Sequence, residues 1–244
     1  EVLDLDLVNV KAIESARFRV VVDGVNSTGG IAIPLLLERL GVDVIKLYCE
    51  PNGEFPHNPE PLKEHLTDLS DAVKKHKADF GIVVDPDVDR LAFVDEHGEM
   101  FGEEYTLVAC ADYVLGITPG NTVSNMSSTR ALRDVTEKHG GMYEASAVGE
   151  VNVVNLMKKN KVVIGGEGNG GIIYPDSHYG RDALVGVALF LSLLADKNIS
   201  VSALRKTYPS YFMGKKKIQL TPGLDVDGIL KAMENRYQNE QLTT

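Results

Sequence analysis

Asp85-Pro86-Asp87-Val88-Asp89-Arg90 sets three carboxylates at alternate positions on a short stretch directly after the apolar run Phe80 to Val84. Like charges packed this closely repel one another unless a cation lies between them. Hard oxygen donors at this spacing suit Mg²⁺, which prefers octahedral coordination and usually keeps positions open for water and phosphate oxygens. Arg90, next in the chain, would hold a phosphate oxygen by charge-assisted hydrogen bonds. The four side chains together describe a phosphoryl-transfer site.

Three other readings share this segment. A solvated acidic turn needs no ligand at all. An EF-hand loop would place Asp85, Asp87, Asp89 and Glu96 at its first, third, fifth and twelfth positions, but Arg90 stands where glycine is required and strands replace the flanking helices. The segment also resembles the Asp-x-Asp pair of haloacid-dehalogenase phosphatases, with Asp85 as nucleophile and Asp87 as general acid. Against that, Asp89 stands where those enzymes usually carry threonine or valine.

A second signal is Gly165-Gly166-Glu167-Gly168-Asn169-Gly170-Gly171, again just after a strand-like run. Glycines let a ligand approach the backbone, and Glu167 and Asn169, two apart on an extended turn, would face adjacent hydroxyls of a sugar. The plain alternative is an ordinary glycine-rich turn. Asp23-Gly24-Val25-Asn26-Ser27-Thr28-Gly29-Gly30 precedes a helix and lacks the lysine of a P-loop, so it is a strand-to-helix turn with Ser27 or Thr28 as N-cap. His57 and His178, each in a loop, are expected to be exposed to solvent, and the other four histidines to lie on the surface.

The elements that must position these residues alternate. Strand patterns fall at Arg17–Val22, Val42–Tyr48, Phe80–Val84, Leu91–Val94, Thr122–Met126, Met142–Ala147 and Val162–Gly165. Helical spacing falls at Thr28–Leu40, Leu62–Lys77, Glu103–Leu115, Thr129–His139, Glu150–Lys159, Asp182–Ala195 and Val201–Thr207. Between the second strand and second helix, Cys49 to Pro61 holds four prolines and must be a long loop. This rhythm predicts two similar three-layer α/β domains with mixed, largely parallel sheets. Pro119, between Gly116 and Gly120, marks the boundary, giving domains at 1–117 and 118–224, with 225–244 a linker or the truncated start of a further domain.

Composition excludes several classes. The chain has 244 residues, 43% of them hydrophobic, enough to bury a sizeable core. With 35 acidic against 25 basic residues and a formal net charge of −10, it is not built to bind a phosphate backbone through a broad basic surface. Nucleic acid is therefore not an expected partner. Its two cysteines, Cys49 and Cys110, lie outside metal-type spacing, which favours a reducing, cytoplasmic setting. No apolar run approaches the roughly 18 residues needed to span a bilayer, so no membrane association is expected. The abrupt start at Glu1 is taken as a cut within a longer protein or a processed end.

Asp85 to Arg90 resembles the Asp-x-Asp-x-Asp-Arg metal loop of the α-D-phosphohexomutases, and Glu167 to Gly171 resembles their Glu-x-Ser/Asn-Gly-Gly/His sugar loop. Val21 to Gly30 is similar to the opening of that family's second domain. Ser127 to Gly141, followed by Ala147-Val148-Gly149, is similar to the start of its third. The resemblance runs from about Phe18 to Met213. It implies a Mg²⁺-dependent isomerase interconverting hexose 1-phosphates and hexose 6-phosphates, phosphomannomutase or phosphoglucomutase in type, through a phosphoserine on a first domain. Phosphoglucosamine mutase is the alternative within the family; a phosphatase or a non-catalytic sugar-phosphate-binding module are alternatives outside it. Carried over residue by residue, Asp85, Asp87 and Asp89 would bind the metal, Arg90 the transferring phosphate, and Glu167, Asn169 and Gly170 the sugar.

The departures are specific. The nucleophile loop of the family reads Ser-His-Asn-Pro, whereas the His57-Asn58-Pro59 of this chain follows Pro56, and no Arg/Ser/Thr-rich phosphate loop follows Gly223. The expectation is that the first and fourth domains belong to the parent chain and that this portion alone is inactive. Glu150 stands where some relatives carry a basic residue or histidine, which puts an acid–base role there in doubt.

Overall fold

A computed structural model of the chain describes residues 1–214, 219–221 and 223–239. Its first sheet is built from β1 (Arg19–Asp23), β2 (Asp43–Leu47), β3 (Phe80–Val84) and β4 (Leu91–Val94), in the order β2-β1-β3-β4. β1 runs parallel to β2 and β3, and β4 is antiparallel to β3. The second sheet repeats this plan with β5 (Thr122–Asn125), β6 (Tyr143–Ser146), β7 (Ile164–Glu167) and β8 (Gly171–Ile173), in the order β6-β5-β7-β8. β5 is parallel to β6 and β7, and β8 is antiparallel to β7. Two sheets with one topology, helices packed around them, realise the α/β class the alternating pattern predicts.

The helices are α1 (Val10–Ala16), α2 (Gly29–Arg39), α3 (Thr67–His76), α4 (Glu103–Ile117), α5 (Ala131–Lys138), α6 (Glu150–Asn160), α7 (Ala183–Lys197) and α8 (Val201–Lys206). Parallel pairing requires crossovers, and α2 and α3 supply them in the first sheet, α5 and α6 in the second. α1 and β8 escaped the sequence pattern. β7 also runs further than expected, through Gly165 and Gly166 to Glu167, because its glycines keep extended pairing with β5 and β8.

α4 and α7 do not belong to one sheet alone. α4 is buried from Tyr105 to Leu115 and α7 from Val185 to Leu194, as expected of helices apolar on every side. They pack on each other and against β4 and β8, and α4 also meets β7. One hydrophobic core therefore runs through both sheets, from Val20 and Phe80 to Ile164 and Ile172. At its centre the Phe190 ring of α7 stacks on Phe93 of β4, centroids 3.7 Å apart, with Phe80 and Phe101 edge-on. Glu1–Tyr211 accordingly forms one compact unit.

Residues 212–244 form a second unit. Its helix α9 (Val226–Arg236) is N-capped by Asp225, whose side chain accepts from the Gly228 N–H at 2.9 Å. Residues 222 and 240–244 of this tail lie outside the described residues.

Candidate functional site

The ends of the parallel strands converge on one place. In open α/β sheets, ligands bind beyond the carboxyl ends of the strands. Asp85 to Arg90 leaves the carboxyl end of β3, Gly24 to Thr28 that of β1, and Gly168 to Gly170 that of β7.

The aspartate loop is held open by its own first residue. Asp85 Oδ1 accepts from the backbone N–H groups of Asp89 at 3.0 Å and Arg90 at 2.9 Å. That wrap forces Val88 to φ +62°, a left-handed conformation a β-branched residue adopts only under constraint. Val88 is pinned there, since its carbonyl accepts from Ala183 N–H at the start of α7, 3.1 Å away. The hydroxyls of Ser27 and Thr28 both donate to the Pro86 carbonyl, at 2.9 and 2.8 Å. Thr28 stands at the expected N-cap position of α2, but its hydroxyl makes no capping hydrogen bond, because the Pro86 carbonyl takes both hydroxyls and ties the β1 loop to the aspartate loop.

Asp85, Asp87 and Asp89 each offer a carboxylate oxygen within 4.8 Å of the other two. Asp85 is buried, and burial pushes its carboxyl up to about 7, with the Asp89 and Asp87 charges adding to the shift. Asp89 Oδ1 is buried without a hydrogen-bond partner, Arg90 Nε lying 3.8 Å away. Desolvated, mutually repelling oxygens with one acceptor unsatisfied are the donor set a hard divalent cation requires, so these residues fit Mg²⁺. Arg90 Nε stands 3.6 Å from Asp85 Oδ2, and Nη1 lies 3.6 Å from Glu60 in the proline-rich loop.

The glycine loop abuts the aspartate loop directly. Leu91 N–H donates to the Gly170 carbonyl at 3.1 Å. Gly170 has φ +90°, and a Cβ there would lie 2.2 Å from the Leu91 carbonyl oxygen. Glycine is therefore demanded twice over at this position, by conformation and by contact. Asn169 is half-buried and its Oδ1 accepts from Gly171 N–H at 3.3 Å. Glu167 is buried; Asn125 Nδ2 donates to its Oε1 at 2.7 Å and Arg181 Nη1 to its Oε2 at 2.9 Å. Of the seven residues singled out by sequence, Asp85, Asp87, Asp89, Arg90, Asn169 and Gly170 sit on two adjoining loops, and Glu167 closes β7 at the head of the second.

Arg181 was not singled out. It lies just before α7, and its other nitrogen, Nη2, hydrogen-bonds Asp89 Oδ2. Its Nε is 3.4 Å from Glu150 Oε2 at the start of α6. One guanidinium thus joins three carboxylates from both halves. A lone loop arginine carries no motif, although its place between the glycine loop and the N-cap of α7 is a usable signal: Asp182 caps that helix, accepting from Leu184 and Val185 N–H.

Two histidine expectations fail. His57 is not free in solvent: its side chain is 14% exposed, Nε2 is 2.9 Å from the buried carboxylate of Asp23 and Nδ1 2.8 Å from the Asn58 carbonyl. With acceptors at both ring nitrogens the imidazolium is favoured, and the Asp23 hydrogen bond, opposed by burial, raises its pKa above the ordinary 6.5. His139 is likewise engaged, 2.8 Å from Asp112, a buried carboxylate also reached by Lys197 at 3.2 Å. Burial opposes ionisation of Asp112, yet the His139 hydrogen bond and the Lys197 charge hold its carboxyl below the usual range.

The Asp23–His57 pair clasps the proline-rich loop to β1, and its contribution to stability has a sign. A raised folded-state pKa means the stabilisation is complete below the unfolded value near 6.5 and is lost as pH rises through the folded value. Denaturant unfolding at about pH 5.5 and about pH 8.5 should therefore show wild type losing stability at the higher pH. Asp23→Asn should cost about 1–3 kcal/mol at the lower pH and narrow that difference, leaving the part due to Asp85, whose carboxyl pushed up to about 7 also loses stability over this range. An unchanged pH difference in Asp23→Asn would show that the pair does not carry it.

Residues 2–98 match the family model for phosphoglucomutase/phosphomannomutase, alpha/beta/alpha domain II, and residues 102–211 that for domain III. A phosphoglucomutase/phosphomannomutase of Thermococcus kodakarensis is 36% identical over 212 residues, covering 86% of this chain and 46% of that protein. A phosphoglucosamine/phosphogalactosamine mutase of Sulfurisphaera tokodaii is 28% identical over 242 residues, 98% of this chain and 53% of its own length. Among solved structures, a phosphoglucomutase/phosphomannomutase family protein of Burkholderia thailandensis superposes with a TM-score of 0.73 at 28% identity, covering 82% of this chain and 46% of that one. The chain belongs to the α-D-phosphohexomutase family and carries its second and third domains. It spans about half the length of the curated relatives it matches. Among the described residues no helix is long and apolar enough to cross a membrane.

Proposed function

We propose that this chain supplies the cation-holding and sugar-recognising half of a phosphohexomutase interconverting hexose 1-phosphates and hexose 6-phosphates. The observation that supports it is the junction of the aspartate and glycine loops through the Leu91–Gly170 hydrogen bond, which sets acidic ligands beside hydroxyl-reading groups. Asp85, Asp87 and Asp89 would hold Mg²⁺, which when bound supplies electrostatic stabilisation of a transferring phosphoryl group. Arg90, braced by Glu60, would receive a phosphate oxygen. Glu167 and Asn169 would accept and donate to sugar hydroxyls, and Gly170 keeps the backbone close enough for both. The transferable phosphoryl group would come from a serine on a first domain, and a fourth domain would grip the phosphate already on the sugar.

The test is calorimetric titration of the 244-residue chain with glucose 6-phosphate and mannose 6-phosphate, with and without Mg²⁺. Binding that strengthens with Mg²⁺, without isomerisation by this chain alone, is the expected result. Release of inorganic phosphate abolished by Asp85→Asn would instead establish a phosphatase, and Mg²⁺-independent affinity a passive binding module. Relatives bearing the name phosphoglucosamine mutase, such as one from Methanopyrus kandleri at 31% identity, motivate a second reading within the family. The Glu150 carboxylate, 36% exposed beside Arg181, would favour a sugar with an ammonium group, and glucosamine 6-phosphate in the same titration distinguishes the two.

A further inference from the structure

We infer that Arg181 is a positioning residue that couples cation binding at the aspartate loop to sugar binding at the glycine loop; this rests on the proposed phosphohexomutase site. Its guanidinium divides its donors between the two loops, Nη2 to Asp89 Oδ2 and Nη1 to Glu167 Oε2. The consequence for Asp89 is geometric. With Oδ2 taken, the other oxygen, Oδ1, is left buried and without a hydrogen-bond partner, on a residue that clusters with Asp85 and Asp87. Groups that orient a metal ligand from behind change affinity for the ion as much as many ligands do.

The consequence for Glu167 is also geometric. Arg181 and Asn125 each donate to one oxygen of this buried carboxylate. The remaining lone pairs are left for a ligand hydroxyl, in an orientation set by the guanidinium plane.

Arg181 is itself fixed on all sides. Asp182 N–H donates to the Ile172 carbonyl of β8 at 2.9 Å, and Ala183 N–H to the Val88 carbonyl of the aspartate loop. The side chain passes over Gly171, where a Cβ would sit 2.4 Å from Arg181 Cδ. Glu150 takes the backbone N–H of Arg181 at 3.3 Å and faces its Nε. A side chain held this way transmits a shift at either loop to the other, and the coupling must be reciprocal.

The test titrates wild type, Arg181→Gln and Arg181→Lys with Mg²⁺ alone, then with glucose 6-phosphate at zero and saturating Mg²⁺. Wild type should bind the sugar phosphate more tightly when Mg²⁺ is present. In Arg181→Gln, Mg²⁺ affinity alone should fall by about 10- to 100-fold, and the Mg²⁺ dependence of sugar-phosphate binding should shrink towards none. Arg181→Lys keeps the charge but not the fork, so it should restore part of the Mg²⁺ affinity and little of the coupling. Circular dichroism and thermal unfolding establish that both variants fold. Unchanged Mg²⁺ affinity and unchanged coupling in a folded Arg181→Gln would overturn the inference and leave the functional reading standing. Wild type that binds neither Mg²⁺ nor glucose 6-phosphate would overturn the functional reading, and the coupling with it.

Discussion

Replacing Asp85 with asparagine should weaken Mg²⁺ binding by on the order of 100-fold while raising the thermal unfolding midpoint by a few degrees. The two effects have one cause. Asp85 is buried with its carboxyl pushed up to about 7 by desolvation and by its like-charged neighbours, so its charge is a cost to the fold in the absence of an ion. The amide keeps an oxygen to accept from Asp89 and Arg90 N–H, preserving the turn that holds Val88. It removes one of three negative charges that a hard cation needs. About 1 kcal/mol of relieved repulsion corresponds to roughly 2–4 °C in a domain of this size. Mg²⁺ titration followed by differential scanning calorimetry measures both, and a variant that keeps full Mg²⁺ affinity would show that the triad is a solvated acidic turn.

Phe190→Ala should have the largest effect on stability, about 3–5 kcal/mol. The ring is fully buried, stacks on Phe93 and meets Phe80 and Phe101 edge-on. Its deletion leaves a cavity among close-packed aromatic rings that have no freedom to collapse into it. Because α7 packs on β4 and on β8 alike, both halves should unfold in a single transition lowered by on the order of 10 °C. Calorimetry that resolves two transitions, one of them at the wild-type temperature, would disprove a shared core.

The parts of this molecule legible in the sequence are those with strong local signals. β3 and β4 have the predicted ends because each is buried throughout and bounded by a charged loop. The long proline-rich loop follows from four residues that cannot continue a helix or supply a ladder hydrogen bond. The aspartate and glycine loops stand out because clustered charge and clustered glycine both need a reason. Less visible was whatever depends on long-range partners. β8 is three residues long and begins at a glycine, so only its pairing with β7 defines it. Ser27 and Thr28 look like helix caps until the Pro86 carbonyl is brought beside them. His57 and His139 look like surface residues until buried carboxylates 34 and 27 positions away reach them. Arg181 is the sharpest case, since its partners are 92, 31 and 14 residues distant in sequence.

The phenylalanine-centred core that runs through both sheets makes the spacing between the aspartate and glycine loops a fixed gauge. On the proposed function, a phosphorylated sugar presenting first one end and then the other to one reacting position could not be followed by these loops moving apart. The ligand itself would then have to turn over within an unyielding frame, and the groups touching it would have to tolerate two poses. Selection among hexose phosphates would then rest on features that survive the flip, which favours broad substrate acceptance over discrimination at a single carbon.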